Sequence, residues 1–346
     1  MNKPPADKPI AQPMTDALYA QRAAEMEPWY WWGVQTFFKC AHNPDPAACD
    51  IGLVGVPHSS GNGSTERDQH LAPRAIRNAS GWYRRAHQKY QLRPWDACRI
   101  NDLGDVPLPE AMLNDVCVDH IEEYYKRLDH AGVRPVSIGG DHSITGPILR
   151  ALGGKEGKLS KGQKIALVHF DAHRDDYEHL PHWLGARRSA AHWAAYTIAE
   201  EIVDPAHSIQ IGMRGNPMKA RKDPSQSDMG YEIIPAEHIF DRGIDDVAKA
   251  IRKRVGDMPV YITFDLDALD PIDAPGVSNL EPGYRGLRCY EAIKLIQSLR
   301  GTNIIGGDIV CMIPSKDNET QITAMNSVVI MFEMLSLIAD KYFRKD

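Results

Sequence analysis

Cysteine is sparse and scattered. The six thiols, Cys40, Cys49, Cys98, Cys117, Cys289 and Cys311, form no CxxC pair among 346 residues. That excludes a thiolate zinc site of ordinary spacing and the disulfide density of a small secreted domain. Reduced thiols in a cytoplasmic setting are the expectation. A basic excess is missing too: 40 Lys and Arg stand against 46 Asp and Glu, for a formal net charge of -6. The electrostatic footprint of a nucleic-acid binder is therefore absent. The most apolar late stretch, Val328 to Ile338, is expected to be too short for the roughly 20 residues of a membrane span. It contains Glu333 and reads as a buried helix, so no membrane partner is expected. The opening residues, MNKPPADKPIAQPMTD, are polar and proline-rich and lack the apolar centre of a signal peptide. Internal repeats are also absent. What remains is an ordinary globular composition, 43% hydrophobic and 25% charged, on a chain long enough to bury a large core.

Residues 1–50 read as an amino-terminal extension. A mobile tail covers 1 to about 15, and a segment dense in aromatics, Glu27 to Cys40 (EPWYWWGVQTFFKC), wants a surface to lie on. That surface is either its own domain or a neighbouring subunit. Residues 51–346 read as one catalytic domain. Apolar runs at Ile51 to Val56, Pro135 to Ile138, Ile165 to Phe170, Ser208 to Ile211, Val260 to Phe264 and Ile304 to Ile309 predict strands. Helical patterns at Asp115 to Leu128, Ile144 to Leu152, Ser189 to Ile202, Ile244 to Val255, Cys289 to Leu299 and Thr320 to Ala339 lie between and after them. This alternation predicts an α/β fold, a mainly parallel central sheet covered by helices on both faces.

Three segments put histidine or carboxylate side chains just after a predicted strand, where doubly wound sheets bind ligands. SIGGDHS supplies Asp141 and His142, LVHFDAHRDD supplies Asp171, His173 and Asp175, and YITFDLDALDP supplies Asp265 and Asp267. On an extended backbone, residues i, i+2 and i+4 point the same way, so each series is expected to converge. Several buried carboxylates in one place repel one another unless cations compensate them. A mixed imidazole and carboxylate set suits borderline divalent ions, Mn²⁺, Ni²⁺ or Zn²⁺. Alone, a DxH or DxD is more often a turn or cap; three after strands point to a metal site.

GGDHS, DAHRD and FDLDALDPIDAPGVSNLEPG together resemble the signature series of the ureohydrolase family, which includes arginase, agmatinase and guanidinobutyrase. The likeness runs from about residue 51 to the end and takes in GVPHSSGNG and IGMRG. It implies a three-layer α/β/α fold and two divalent ions, Ni²⁺ or Mn²⁺. One ion would be held by His142, Asp171, Asp175 and Asp265, and the other by Asp171, His173, Asp265 and Asp267. A water shared by the ions would lose its proton near neutral pH and attack the guanidine carbon, with Asp175 orienting it. The family's usual histidine after DAHxD is displaced here; YEHLPHWLGARRSAAHWAAY offers His179, His182 and His192. His192 is the favoured proton donor, against a structural histidine packed beside Trp193.

Where many relatives carry a glutamate facing the guanidinium, GGDIVCMIPSKDN places Cys311. A thiol cannot pair with a guanidinium as a carboxylate does, so the pocket is expected to be altered, with Cys311 a small lining residue rather than a nucleophile. His182 and Trp193 join Cys311 as expected substrate contacts. Trp183 and the run Trp29 to Trp32 either wall the site or are plain core or interface. GVPHSSGNGSTERDQH and LGARRSAAHW are similar to the guanidine hydrolase branch, in whose neighbourhood the metformin hydrolases lie. The resemblance implies a small cationic guanidine-type substrate, guanidine or an alkylated biguanide. It also implies a homo- or hetero-oligomer, trimer or hexamer, formed with itself or with a homologous second subunit. The alternatives are an agmatinase or guanidinobutyrase, a non-catalytic partner subunit, and a one-zinc deacetylase-like amidohydrolase.

Overall fold

The computed structural model describes residues 14–344 apart from 28, 64–65, 84, 183–184, 217–222 and 226. Eight strands form one sheet: β1 Ile51–Val56, β2 Ile100–Asp105, β3 Arg134–Gly139, β4 Ala166–Phe170, β5 Ile209–Ile211, β6 Glu232–Ile234, β7 Pro259–Asp265 and β8 Asn303–Val310. Their order is β2-β1-β3-β8-β7-β4-β5-β6, and every neighbouring pair is parallel. Parallel pairing requires crossovers, and the helices that make them cover both faces. This is the expected α/β architecture, with a sheet wholly rather than mainly parallel. The inner strands show why: β4 (ALVHF) and β7 (PVYITFD) are buried at every position.

The helices are α1 Asp16–Met26, α2 Ala72–Ser80, α3 Pro94–Ala97, α4 Asn114–Ala131, α5 Thr145–Leu152, α6 Trp193–Ala199, α7 Ala236–Arg242, α8 Ile244–Val255, α9 Cys289–Gln297 and α10 Ile322–Tyr342. One apolar layer joins α2, α8, α9 and α10 to the sheet. The other joins α4, α5 and α6 to its opposite face. Each fully buried Leu, Ile or Phe in these layers is worth about 1.5–3 kcal/mol. Helix α10 is long and apolar enough to cross a bilayer, but it is buried along most of its length, packed on α2 and β8.

The six strands read from apolar runs are all present, each within one residue at either end. Strands β2 and β6 were not legible, because β2 (INDLGD) is a polar edge and β6 spans three residues. The helix expected over Ser189 to Ile202 is corrected to α6 alone, since the segment before it turns tightly around His192. Most of the expected tail lies outside the described residues, and Thr15 already caps α1. Phe37 and Phe38 are core residues, whereas Trp29 and Trp31 stay 53% and 56% exposed.

Candidate metal centre

Strands β3, β8, β7 and β4 are consecutive neighbours in mid-sheet, and all candidate ligands leave their carboxyl ends. The registers Phe170↔Phe264 and Phe264↔Ile309 place Asp171 and Asp265 side by side on adjoining strands. His142 follows β3 in a short turn whose preceding residue, Asp141, is fully buried. The Asp141 carboxylate accepts from the backbone N–H groups of Gly61 and Asn62 at 2.8 and 2.9 Å, pinning the loop after β1 over the site. A Cβ at Gly140 would lie 1.6 Å from the His58 carbonyl oxygen, so that crossing requires glycine.

The expected convergence occurs, though not by an extended backbone throughout. The chain bends at Ala172 and His173, and Asp175 reaches the cluster from a left-handed conformation, φ 51°. A non-glycine residue held there stores strain, as side chains at functional sites often do. His142 Nδ1 lies 3.0 Å from Asp171 Oδ2, 3.0 Å from Asp175 Oδ2 and 3.3 Å from Asp265 Oδ2. His173 Nδ1 lies 3.0 Å from Asp267 Oδ2 and 3.4 Å from Asp171 Oδ1. Asp267 is locked by the Ala172 N–H at 3.0 Å, and Asp265 by the Asp267 N–H at 2.9 Å.

His142 Nδ1 is buried and makes no directed hydrogen bond despite its three close carboxylates. Ligand atoms that share one ion at about 2.1 Å stand about 3.0–3.4 Å apart from each other. The observed separations match that, so the residues fit a divalent ion better than a hydrogen-bond network. The charges agree. Burial disfavours an imidazolium at His142, yet the facing Asp171, Asp175 and Asp265 overcome it and hold its pKa well above the usual value. Asp175 and Asp267 are pushed up by burial and by their neighbouring carboxylates, Asp171 for the first and Asp265 and Asp171 for the second. A cluster that recruits protons this way is short of positive charge.

Supporting groups fix each imidazole. His142 Nε2 meets Thr263 Oγ1 at 2.9 Å, and that hydroxyl donates to buried Asp308 at 2.6 Å. His173 Nε2 faces Glu281 Oε1 at 3.0 Å. His169 Nε2 bonds Asp171 Oδ2 at 2.8 Å, which makes a third histidine part of the cluster. His169 and Glu281 were missed in the sequence. The signals existed, since His169 precedes Asp171 by two positions on β4 and Glu281 lies in the SNLEPG block.

The remaining candidates separate. His192 accepts the Leu180 N–H on Nε2 at 3.1 Å and bonds Ser189 Oγ through Nδ1 at 2.7 Å. Burial holds its pKa down, and both ring nitrogens are engaged within its own loop. Trp193 is fully buried behind the cluster; its indole N–H donates to Asp175 Oδ2 at 2.9 Å and its ring packs on His142 and His169. It backs a ligand rather than walling a pocket. His182 Nε2 bonds the Asn62 carbonyl at 2.9 Å, and His179 is exposed. Trp183 lies outside the described residues. The aromatic run stacks on Trp82, beyond the end of α2, through Tyr30. Cys311, at the end of β8 with φ 70°, puts Sγ into one group with His142 and Asp265. Burial, then Asp265 and Asp267, keep that thiol protonated.

The model of the arginase family matches residues 49–336. A guanidinopropionase of Pseudomonas aeruginosa is 34% identical over 316 residues, covering 90% of this chain and 94% of that protein. An agmatinase of Photorhabdus laumondii is 35% identical over 297 residues, covering 84% and 87%. Among solved structures, the proclavaminate amidino hydrolase of Streptomyces clavuligerus superposes with a TM-score of 0.81 at 28% identity, over 90% of this chain and 99% of its own. With the sheet, the strand-end cluster and these likenesses in agreement, the chain belongs to the arginase family.

Proposed function

We propose that this protein is a two-metal hydrolase that cuts a C–N bond of a small guanidine compound. The observation that carries the reading is the convergence of His142, Asp171, His173, Asp175, Asp265 and Asp267 on two imidazole Nδ1 atoms at ion-sharing distances. His142, Asp171, Asp175 and Asp265 would hold one ion, and Asp171, His173, Asp265 and Asp267 the other; Ni²⁺ or Mn²⁺ would suit the donor set. When bound, the pair supplies a nucleophile from water at neutral pH. The chain's own part is to orient and to exclude water. Asp175, held by the Trp193 indole, presents an oxygen toward the reacting centre, and the loop after β1 closes over it through Asp141.

At the substrate side, Cys311 supports guanidine itself or an alkylated biguanide such as metformin. A neutral thiol offers no counter-charge for a guanidinium and leaves room for apolar substituents. His182, partly exposed in the loop that also carries His179 and His192, is a further candidate for the leaving amine's proton. A second reading, an agmatinase or guanidinobutyrase type, is favoured by the agmatinase and guanidinopropionase relatives. Assembly into trimers or hexamers, with itself or a homologous subunit, is supported by exposed Trp29, Trp31 and Trp82. A cytoplasmic setting agrees with six free cysteines.

The test is a substrate panel of guanidine, metformin, agmatine, guanidinobutyrate and arginine after loading with Ni²⁺ or Mn²⁺. Hydrolysis of guanidine or metformin above the rest is expected. Comparable urea release from agmatine overturns the substrate ranking, and failure to bind divalent metal overturns the hydrolase.

A further inference from the structure

We propose that Glu281 is a positioning residue for the His173 half of the cluster, accepting the Nε2–H of His173 so that Nδ1 stays aimed at Asp171 and Asp267. The inference rests on the two-ion reading above. An imidazole has two tautomers, and only the one protonated on Nε2 leaves an Nδ1 lone pair for a cation. Glu281 Oε1, 3.0 Å from Nε2, selects that tautomer, and the carboxylate makes the ring a stronger donor. Among the described residues Glu281 is the group that meets His173 Nε2: the side chain is 32% exposed, and no described hydroxyl bonds it as Thr263 bonds His142.

The surroundings are shaped to receive the carboxylate. A Cβ at Gly215 would lie 2.3 Å from Glu281 Oε2, so a side chain there would displace the carboxylate from its present place, and the turn after β5 carries glycine at φ 80°. Next to it, Arg214 attracts Glu281 electrostatically. The Arg214 backbone N–H bonds the Ala172 carbonyl at 3.0 Å, and its guanidinium reaches the Leu269 carbonyl at 3.1 Å. One arginine thus ties the Glu281 pocket to both metal-motif segments. The loop bearing Glu281 is fixed in turn by the Ser278 N–H on the Cys311 carbonyl at 3.2 Å. With Cys311 in place of an acid on β8, Glu281 is the carboxylate that loop brings to the cluster.

The experiment compares wild type, Glu281→Gln and Glu281→Ala, metal-stripped and titrated with Mn²⁺ and with Ni²⁺ by calorimetry, alongside kcat and KM on the substrate the panel identifies. Binding of one ion of two is expected to weaken roughly 10–100-fold in Glu281→Ala, and less in Glu281→Gln, whose amide oxygen still accepts. The other ion keeps its affinity, and kcat falls more than KM changes. Wild-type affinity for both ions in both variants overturns the proposal, as does a raised KM with unchanged metal binding, which puts Glu281 on the substrate instead. The isosteric Glu281→Gln carries the test if the alanine variant does not fold. Wild type binding no metal defeats the parent reading, a result distinct from either.

Discussion

His142 and His173 approach the same carboxylate, Asp171, through different oxygens, yet their surroundings differ. The His142 half is 1% exposed and backed from inside the sheet by Thr263 and Asp308, with Trp193 closing it behind Asp175. His173 itself is a third exposed beside buried Asp171 and Asp267, and its backing comes from a loop residue. Strand-borne partners are held by a wall of buried neighbours, whereas loop-borne partners depend on a few local contacts. The inner half is therefore expected to bind metal tightly and tolerate substitution poorly. The outer half is expected to exchange its ion more readily and to face substrate.

The comparison breaks most sharply at its shared residue. Asp171→Asn takes charge from both halves, and turnover and both ions should be lost together; retention of either ion, measured by elemental analysis after dialysis, would show the halves to be independent. His173→Ala should abolish turnover yet leave one ion in place. Thr263→Val removes the hydroxyl between His142 and Asp308. Inner-ion affinity should fall roughly 10–100-fold, as for other supporting residues, and stability by about 1–3 kcal/mol because a buried carboxyl loses a donor. His192→Asn should lower stability by about 1 kcal/mol through lost loop contacts while leaving the shape of the pH–rate profile unchanged. A vanished limb in that profile would restore His192 as a proton donor.

A site remote from both halves supplies the control. Asp340 sits beside Arg300 and Arg344, and the Arg300 guanidinium holds its carboxyl below the usual value. A carboxyl lowered in the fold stabilises it above the unfolded value, about 3.9, and that contribution disappears as pH falls through the folded value. Asp340→Asn should thus be less stable than wild type near pH 7, by on the order of 1 kcal/mol or less. The gap should close in acid, and metal affinity should stay as it was. Thermal unfolding across pH reads both.

How much of this was legible in the chain follows from how locally each feature is encoded. The inner strands announce themselves because a strand buried on both faces must be largely apolar, as ALVHF and PVYITFD are around the polar residues His169, Thr263 and Asp265. The six candidate ligand positions were readable because each lies at or within five residues of the carboxyl end of such a strand. The bend that brings in Asp175 was not readable, since nothing in DAHRDD signals a left-handed residue at that aspartate. The surroundings of His192 were hidden for a related reason: its ring nitrogens meet Ser189 and the Leu180 backbone, and the second contact depends on a loop path no periodicity encodes. Glu281 meets His173 only when the SNLEPG loop folds back beside the turn at Gly215, so its place in that block could draw notice but the contact itself could not be read from the chain. Polar edge strands such as β2 escape for the opposite reason, because solvent on one side relaxes the demand for apolar residues.

The adjacency of β3, β8, β7 and β4 also bears on how the chain acquires its structure. His142 and Thr263 meet across 121 positions of sequence, so the cluster cannot exist in any locally folded fragment. Such long-range pairings form late and slowly. Metal capture should therefore lag behind helix formation during refolding and mark the moment at which the central strands have closed.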